Sequence, residues 1–289
     1  MVSLYRSEVG KQEILNLYEQ KLQDLEIDYN YRLIDTDFGK TNIIVTGNSS
    51  KSPILLIHGS NGCAPIALET YPNLYKDFHV FAIDVLAQPN KSEGSCLSMK
   101  DNSYGKWMNE IITSLKIENV TMAGFSFGGL IILKTLEYDE SKISQVFLSA
   151  PAYIVNGNPI KALFKIFIPM KRFMKTQKPK YVETFLAQVF TERDEFAIKY
   201  LSKVFLHFKM DFTPVPVINK TQAKSIKTPI TLFAAKNDIL FPGTKMIKRA
   251  TIIFPSLKNY LLFENSKHVQ SKSDNLKIEN YILKNSMLQ

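Results

Sequence analysis

"MAGFSFGGLI" (residues 122–131) sets Ser126 between two glycines with apolar residues on either side. The stretch before it, from Asn119, is short and apolar, as in a buried strand. The stretch after it carries Leu130, Ile131, Leu133 and Leu136, spaced as on one side of a helix. Ser126 therefore falls on a sharp strand-to-helix turn. Such a turn brings backbone segments closer than a Cβ would allow, which is the use of Gly124 and Gly128. A five-residue pattern arises by chance often enough that its surroundings must decide.

The surroundings alternate. "ILLIHGSNG", after Pro53, is a continuous apolar run that ends in a glycine-containing loop, as a buried parallel strand does. "FHVFAIDV" (78–85), "QVFLSAP" (145–151), "TPITLFAAKND" (228–238) and "NYLLFEN" (259–265) repeat the theme. Helical stretches over 103–115, 128–138 and 243–250 lie between them. This alternation predicts a parallel sheet with helices on both faces. Upstream, Ile14, Leu15, Tyr18, Leu22 and Leu25 predict an amphipathic helix over 7–24. Residues 30–47 read as two strands joined near Gly39. From about 153 to 226 the alternation stops. That stretch is helical, aromatic and basic, and reads as an insertion between two strands.

At 289 residues, with 45% hydrophobic and 22% charged, the chain suits one large domain with an insertion. Cys63 and Cys96 cannot form a disulfide framework and are expected as free thiols in a reducing compartment. The N-terminus lacks the pattern of a signal peptide, and no run reaches the ~18 apolar residues of a membrane span. A cytoplasmic location is expected. Of the net charge of +9, residues 151–226 supply most, with 13 Lys and Arg against 5 Asp and Glu. Without a nucleic-acid motif this reads as a solvated basic face.

In open α/β sheets, sites form at the carboxyl ends of strands. There the sequence places His58 to Gly62, Ser126, Asp238 and His268. The order Ser, Asp, His fits a nucleophile elbow with its triad partners. Ser126 is the expected nucleophile, His268 the base that takes its proton, and Asp238 the group that orients the imidazole. The expected oxyanion donors are the Phe127 N–H and the Ser60 N–H, with Asn61 as the alternative to Ser60. His58 is expected to order the loop, His79 to start a strand, and His207 to pack in the insertion. No histidine–carboxylate cluster has metal-ligand spacing, and neither a metal nor a cofactor is expected.

"LLIHGSNG", "AIDVLAQPNKSEG", "MAGFSFGG", "AAKNDILFP", "ENSKHV" and the hairpin "DTDFGKTNIIVTG" together resemble the α/β-hydrolase superfamily, in particular its bacterial carboxylesterase-like members, over about residues 28–285. The resemblance implies an α/β-hydrolase fold with a mostly parallel sheet, helices on both faces and a helical cap. Its core would span 28–152 and 227–289 and its cap 153–226, with residues 1–27 forming a preceding helix. It implies a serine hydrolase that cleaves small-molecule carboxylic esters through an acyl-enzyme. The alternatives are a lysophospholipase or monoacylglycerol lipase, or a ligand sensor with little turnover. No nucleic-acid partner and no stable membrane insertion are expected, and a homodimer is left open. One departure stands out: Ala87 and Pro89 replace glycines of the family's loop between Asp84 and Ser92. Within the insertion, "IKALFKIFIPMKRFMK" (160–175) is expected as a plain lid, with Phe164, Phe167 and Phe173 lining an acyl pocket. Docking on an anionic membrane is the rival reading of the same residues.

Overall fold

The computed structural model describes residues 3–286. Among the described residues nine strands form one sheet: β1 (Tyr29–Thr36), β2 (Gly39–Thr46), β3 (Pro53–Ile57), β4 (His79–Ile83), the short β5 (Glu93–Gly94), β6 (Val120–Phe125), β7 (Ile143–Ser149), β8 (Ile230–Ala235) and β9 (Leu257–Phe263). Their order is β1-β2-β4-β3-β6-β7-β8-β9, with β5 pairing on β2. The β1–β2 hairpin joins antiparallel to β4, and every pair from β4 to β9 is parallel.

The continuous apolar runs are explained by burial on both faces. Along β3, Leu55 and Ile57 face one core and Ile54 and Leu56 the other; β4 alternates in the same way. Helices α3 (Ser103–Leu115), α4 (Phe127–Tyr138) and α10 (Gly243–Ile253) cover the first face. On the second face lie α1 (Glu8–Gln23), α2 (Ala64–Thr70) and α11 (Lys272–Ser286). Ser7 caps α1 by accepting from the Gly10 N–H at 3.0 Å, and Ile14, Leu17, Tyr18 and Leu22 form its buried side.

Between β7 and β8 run α5 (Pro159–Ala162), a π-helical turn (Leu163–Phe167), α6 (Ile168–Thr176), α7 (Pro179–Val189), α8 (Glu195–His207) and α9 (Lys220–Ser225). Tyr153 to Val155, and Ile218 to Ile226 through Ala223, are buried in the core of the α3/α4 face, while α6 to α8 join the core of the α1/α2 face. Of the three phenylalanines expected to line an acyl pocket, Phe164 faces the other way. Ile166, Met170 and Phe173 turn inward at helical spacing, and Phe173 packs edge-on to Phe205. That register turns Ile160, Leu163 and Phe164 outward, and Phe164 is 63% exposed. Among the described residues no helix is long and apolar enough to cross a membrane.

Candidate active site

β6 ends at Phe125 and α4 starts at Phe127, so Ser126 alone makes the turn, with φ 54° and ψ −112°. A left-handed φ on a non-glycine residue costs roughly 1–3 kcal/mol and must be held by its surroundings. The holding contacts are on the backbone. The Ser126 N–H donates to Ser149 O at 2.9 Å, and Ser126 O accepts from Gly129 and Ala152 N–H at 3.0 and 2.9 Å. The flanking glycines permit the approach. A Cβ on Gly128 would lie 2.2 Å from Ile57 O, and one on Gly124 would lie 2.8 Å from the Gly128 backbone.

The turn aims Ser126 Oγ at His268. Oγ lies 2.9 Å from Nε2, and Nδ1 lies 2.7 Å from Asp238 Oδ2. With the proton on Nδ1 donated to Asp238, Nε2 is left as the acceptor for the hydroxyl. The second carboxylate oxygen, Oδ1, accepts the Leu240 and Phe241 N–H groups at 2.7 and 3.0 Å. Both oxygens of Asp238 are thereby fixed. The rings of Phe125 and Phe241 lie 5.0 and 5.4 Å from that of His268 and confine the imidazole. All three polar residues are buried.

The loop after β3 meets this centre at Gly59, where an added Cβ would come within 3.3 Å of Ser126 Cβ. His58 orders the loop, as expected from the sequence. Its Nδ1 lies 2.7 Å from Gly59 O, and its Nε2 accepts the Val85 N–H at 3.0 Å. Burial lowers its pKa to about 4, so the ring is neutral near pH 7. The two alternatives for the second oxyanion donor now differ. The Asn61 N–H donates to Gln88 Oε1 at 2.7 Å. The Phe127 N–H opens α4, where the first turn leaves donors without a helical partner.

The loop after β4, which carries Ala87 and Pro89, is tied down by hydrogen bonds. Ala87 takes φ 55°, and Asp84 anchors the segment by accepting from Tyr18 OH, Asn42 Nδ2 and the Ala64 and Lys91 N–H groups. Ser92 Oγ donates to Asp84 O at 2.7 Å. His79 starts β4. His207 joins α8 to α1 through Glu13 at 3.1 Å. Both cysteines are free.

Sequence reasoning missed the support of the histidine loop. Thr191, just beyond α7, donates from its hydroxyl to Val269 O at 2.6 Å and accepts the Lys267 N–H at 2.9 Å. The backbone adds Thr191 N–H to Val269 O and Val269 N–H to Val189 O, at 3.0 and 2.9 Å. These contacts grip both neighbours of His268. No local signal marks Thr191, because its partners lie 76 and 78 residues away.

A model of the family described by the alpha/beta hydrolase fold matches residues 52–199, just over half of the chain. The chain belongs to the α/β-hydrolase family. It is 22% identical over 269 residues to carboxylesterase YbfK of Bacillus subtilis strain 168, covering 88% of this chain and 86% of that one. It is also 22% identical over 256 residues to the uncharacterized carboxylesterase nap of the same strain, covering 82% and 80%. Among solved structures it resembles naproxen esterase from Bacillus subtilis, with a TM-score of 0.83 at 19% identity over 96% of this chain and 98% of that one. Fold and family together make the protein a hydrolase.

Proposed function

We propose that the protein hydrolyses carboxylic esters through an acyl-enzyme on Ser126. The observation that carries this reading is the unbroken hydrogen-bonded series Ser126–His268–Asp238 at the carboxyl ends of the strands. The carboxylesterase relatives, matched over most of their length, support the choice of ester.

The steps follow from the geometry. Ser126 Oγ attacks the ester carbonyl carbon while His268 Nε2 takes its proton. Asp238 stabilises the imidazolium and keeps its Nδ1–H in place. The carbonyl oxygen becomes an oxyanion, which the Phe127 and Ser60 N–H groups receive at the N-terminal end of α4. The alkoxide then leaves with the proton from His268, and Ser126 keeps the acyl group. A water molecule deprotonated by His268 attacks that acyl carbon, releasing the carboxylic acid and returning the proton to Ser126. The helices between β7 and β8 act as the cap.

Ser126→Ala is expected to lower ester turnover by about 10⁵ to 10⁶ and to abolish labelling by a fluorophosphonate. If the alanine variant kept a tenth of wild-type turnover on a nitrophenyl ester, this assignment would be wrong.

A further inference from the structure

The outward side of α5 and the π-helical turn presents Ile160, Leu163 and Phe164 at i, i+3 and i+4, all exposed. Phe212, also exposed, has its ring centroid 6.1 Å from that of Phe167 in the same turn, which extends the apolar surface. Lys161, Lys165, Lys171, Arg172, Lys175, Lys178 and Lys180 follow on exposed positions. No acidic residue occurs from 141 to 182. Among the described residues, none of these seven cations is in an ion pair. By contrast, Arg193, Lys203 and Lys236 elsewhere on the surface each hold a carboxylate.

Exposed apolar side chains bordered by unpaired cations form a surface with two complementary demands. Its apolar residues lose water only against another apolar phase, and its cations are attracted to a dense field of anions. We infer that this face of the cap docks on an anionic lipid bilayer. Ile160, Leu163 and Phe164 enter the headgroup boundary while the cations stay among the headgroups. This takes the rival of the plain-lid expectation, since Phe164, one of the three residues expected to line the pocket, points into solvent. The face is also near the chemistry. Three residues before Ile160, the Gly157 N–H donates to Leu240 O at 2.7 Å, beside the loop that carries Asp238. Docking therefore brings the lipid phase to the Asp238 side of the site, and esters held in that phase are the substrates it favours. This last step rests on the ester-hydrolase reading; the docking does not.

The test is co-sedimentation with vesicles of phosphatidylglycerol and phosphatidylcholine in equal parts, against vesicles of phosphatidylcholine alone. The wild type is expected to sediment with the anionic vesicles at low salt and to be released as salt rises. Lys165→Gln with Lys171→Gln is expected to weaken partitioning by about 25-fold, from about fivefold per charge near the surface. Phe164→Ser is expected to weaken it by about tenfold. Lys40→Gln with Lys106→Gln removes the same charge elsewhere and is expected to change it less than threefold. Equal loss in the two lysine pairs, equal binding to neutral vesicles, or burial of the face in a self-associated dimer with no vesicle binding would each overturn the proposal. All these variants are expected to keep wild-type turnover of a soluble butyrate ester. Vesicle binding by a wild type that hydrolyses no ester would uphold the docking surface and remove the ester-hydrolase reading.

Discussion

Two buried groups beside the candidate oxyanion loop titrate in opposite senses. Burial lowers His58 to about 4, although its bond to Gly59 O works the other way. Asp84 is raised to about 6, mainly by burial, against the bonds it accepts from Ala64, Asn42, Tyr18 and Lys91. His58 folds best when neutral, so the stability linked to it is complete above the ordinary histidine pKa of about 6.5. It is lost as pH falls from there towards 4, by about 3 kcal/mol. Asp84 folds best when protonated, so stability is gained as pH falls from 6 towards the ordinary value near 4, again by about 3 kcal/mol. Between pH 6 and 4 the two offset each other. Asp84→Asn removes one of them. The variant's unfolding free energy in urea is expected to fall by about 3 kcal/mol more than the wild type's from pH 6 to pH 4. Parallel pH curves for the two proteins would refute the opposition. Neither value was legible in the sequence, where His58 and Asp84 were motif residues only. Burial sets both, and that is a property of the fold; over Asp84 it comes with contacts from Tyr18 of α1 and Ala64 of α2. Ser126, Asp238 and His268 were legible because each lies within a few residues of the end of an apolar strand, where little chain intervenes to blur its position.

Among the elements, the parallel strands were read most easily because double-sided burial writes them as unbroken apolar runs. Helix α2 was missed: its seven residues, with Pro65 in the first turn, give too few turns for a periodicity. Helix α11 was missed because its core contact rests chiefly on Ile278 and Ile282, one turn apart in a polar stretch. The segment between α7 and α8 shows why an insertion is hard to read for function. Its helices are plain, yet Thr191 at the end of one of them holds the loop of His268 from both sides. Thr191→Val keeps the shape and removes the hydroxyl that bonds Lys267 and Val269. It is expected to lower kcat about tenfold with little change in KM, since the histidine is displaced and the acyl site is untouched. Thr191→Ser restores the hydroxyl and is expected to restore most of kcat. A purely structural role predicts instead a lower thermal midpoint with wild-type kcat in the folded fraction, and that pattern would reject the positioning role.

For the whole molecule, the packing of α1 joins three parts of the fold. Tyr18 OH donates to Asp84 at 3.0 Å, and Tyr5 OH donates to Asn90 O at 3.0 Å, so α1 and its lead-in hold the loop after β4. That loop in turn holds His58 through the Val85 N–H. On the other side, Lys203 reaches Glu13 at 2.8 Å, and the Arg6 N–H donates to His207 O at 2.8 Å, so α8 is fastened to the same segment. Tyr200 OH closes the circuit from α8 to Pro89 O at 2.7 Å. These contacts tie α8 and the loop after β4 to the N-terminal segment. Ile14, Leu17, Tyr18 and Leu22 are each buried, at about 1.5–3 kcal/mol apiece for the aliphatic ones, against a total stability of about 5–15 kcal/mol for an ordinary domain. Removing residues 1–24 is therefore expected to abolish cooperative melting and soluble-ester turnover together. Tyr18→Phe is the gentler version. It leaves the apolar side of α1 intact and withdraws one donor from Asp84, so it is expected to lower the stability by about 1–2 kcal/mol while the protein stays folded. Hydrogen exchange on that variant is expected to speed up at the 84–92 loop and in α8, with β6 and β7 unchanged. A truncated chain that melts cooperatively at the wild-type temperature and keeps wild-type kcat/KM would show that α1 only covers the core and does not brace the site.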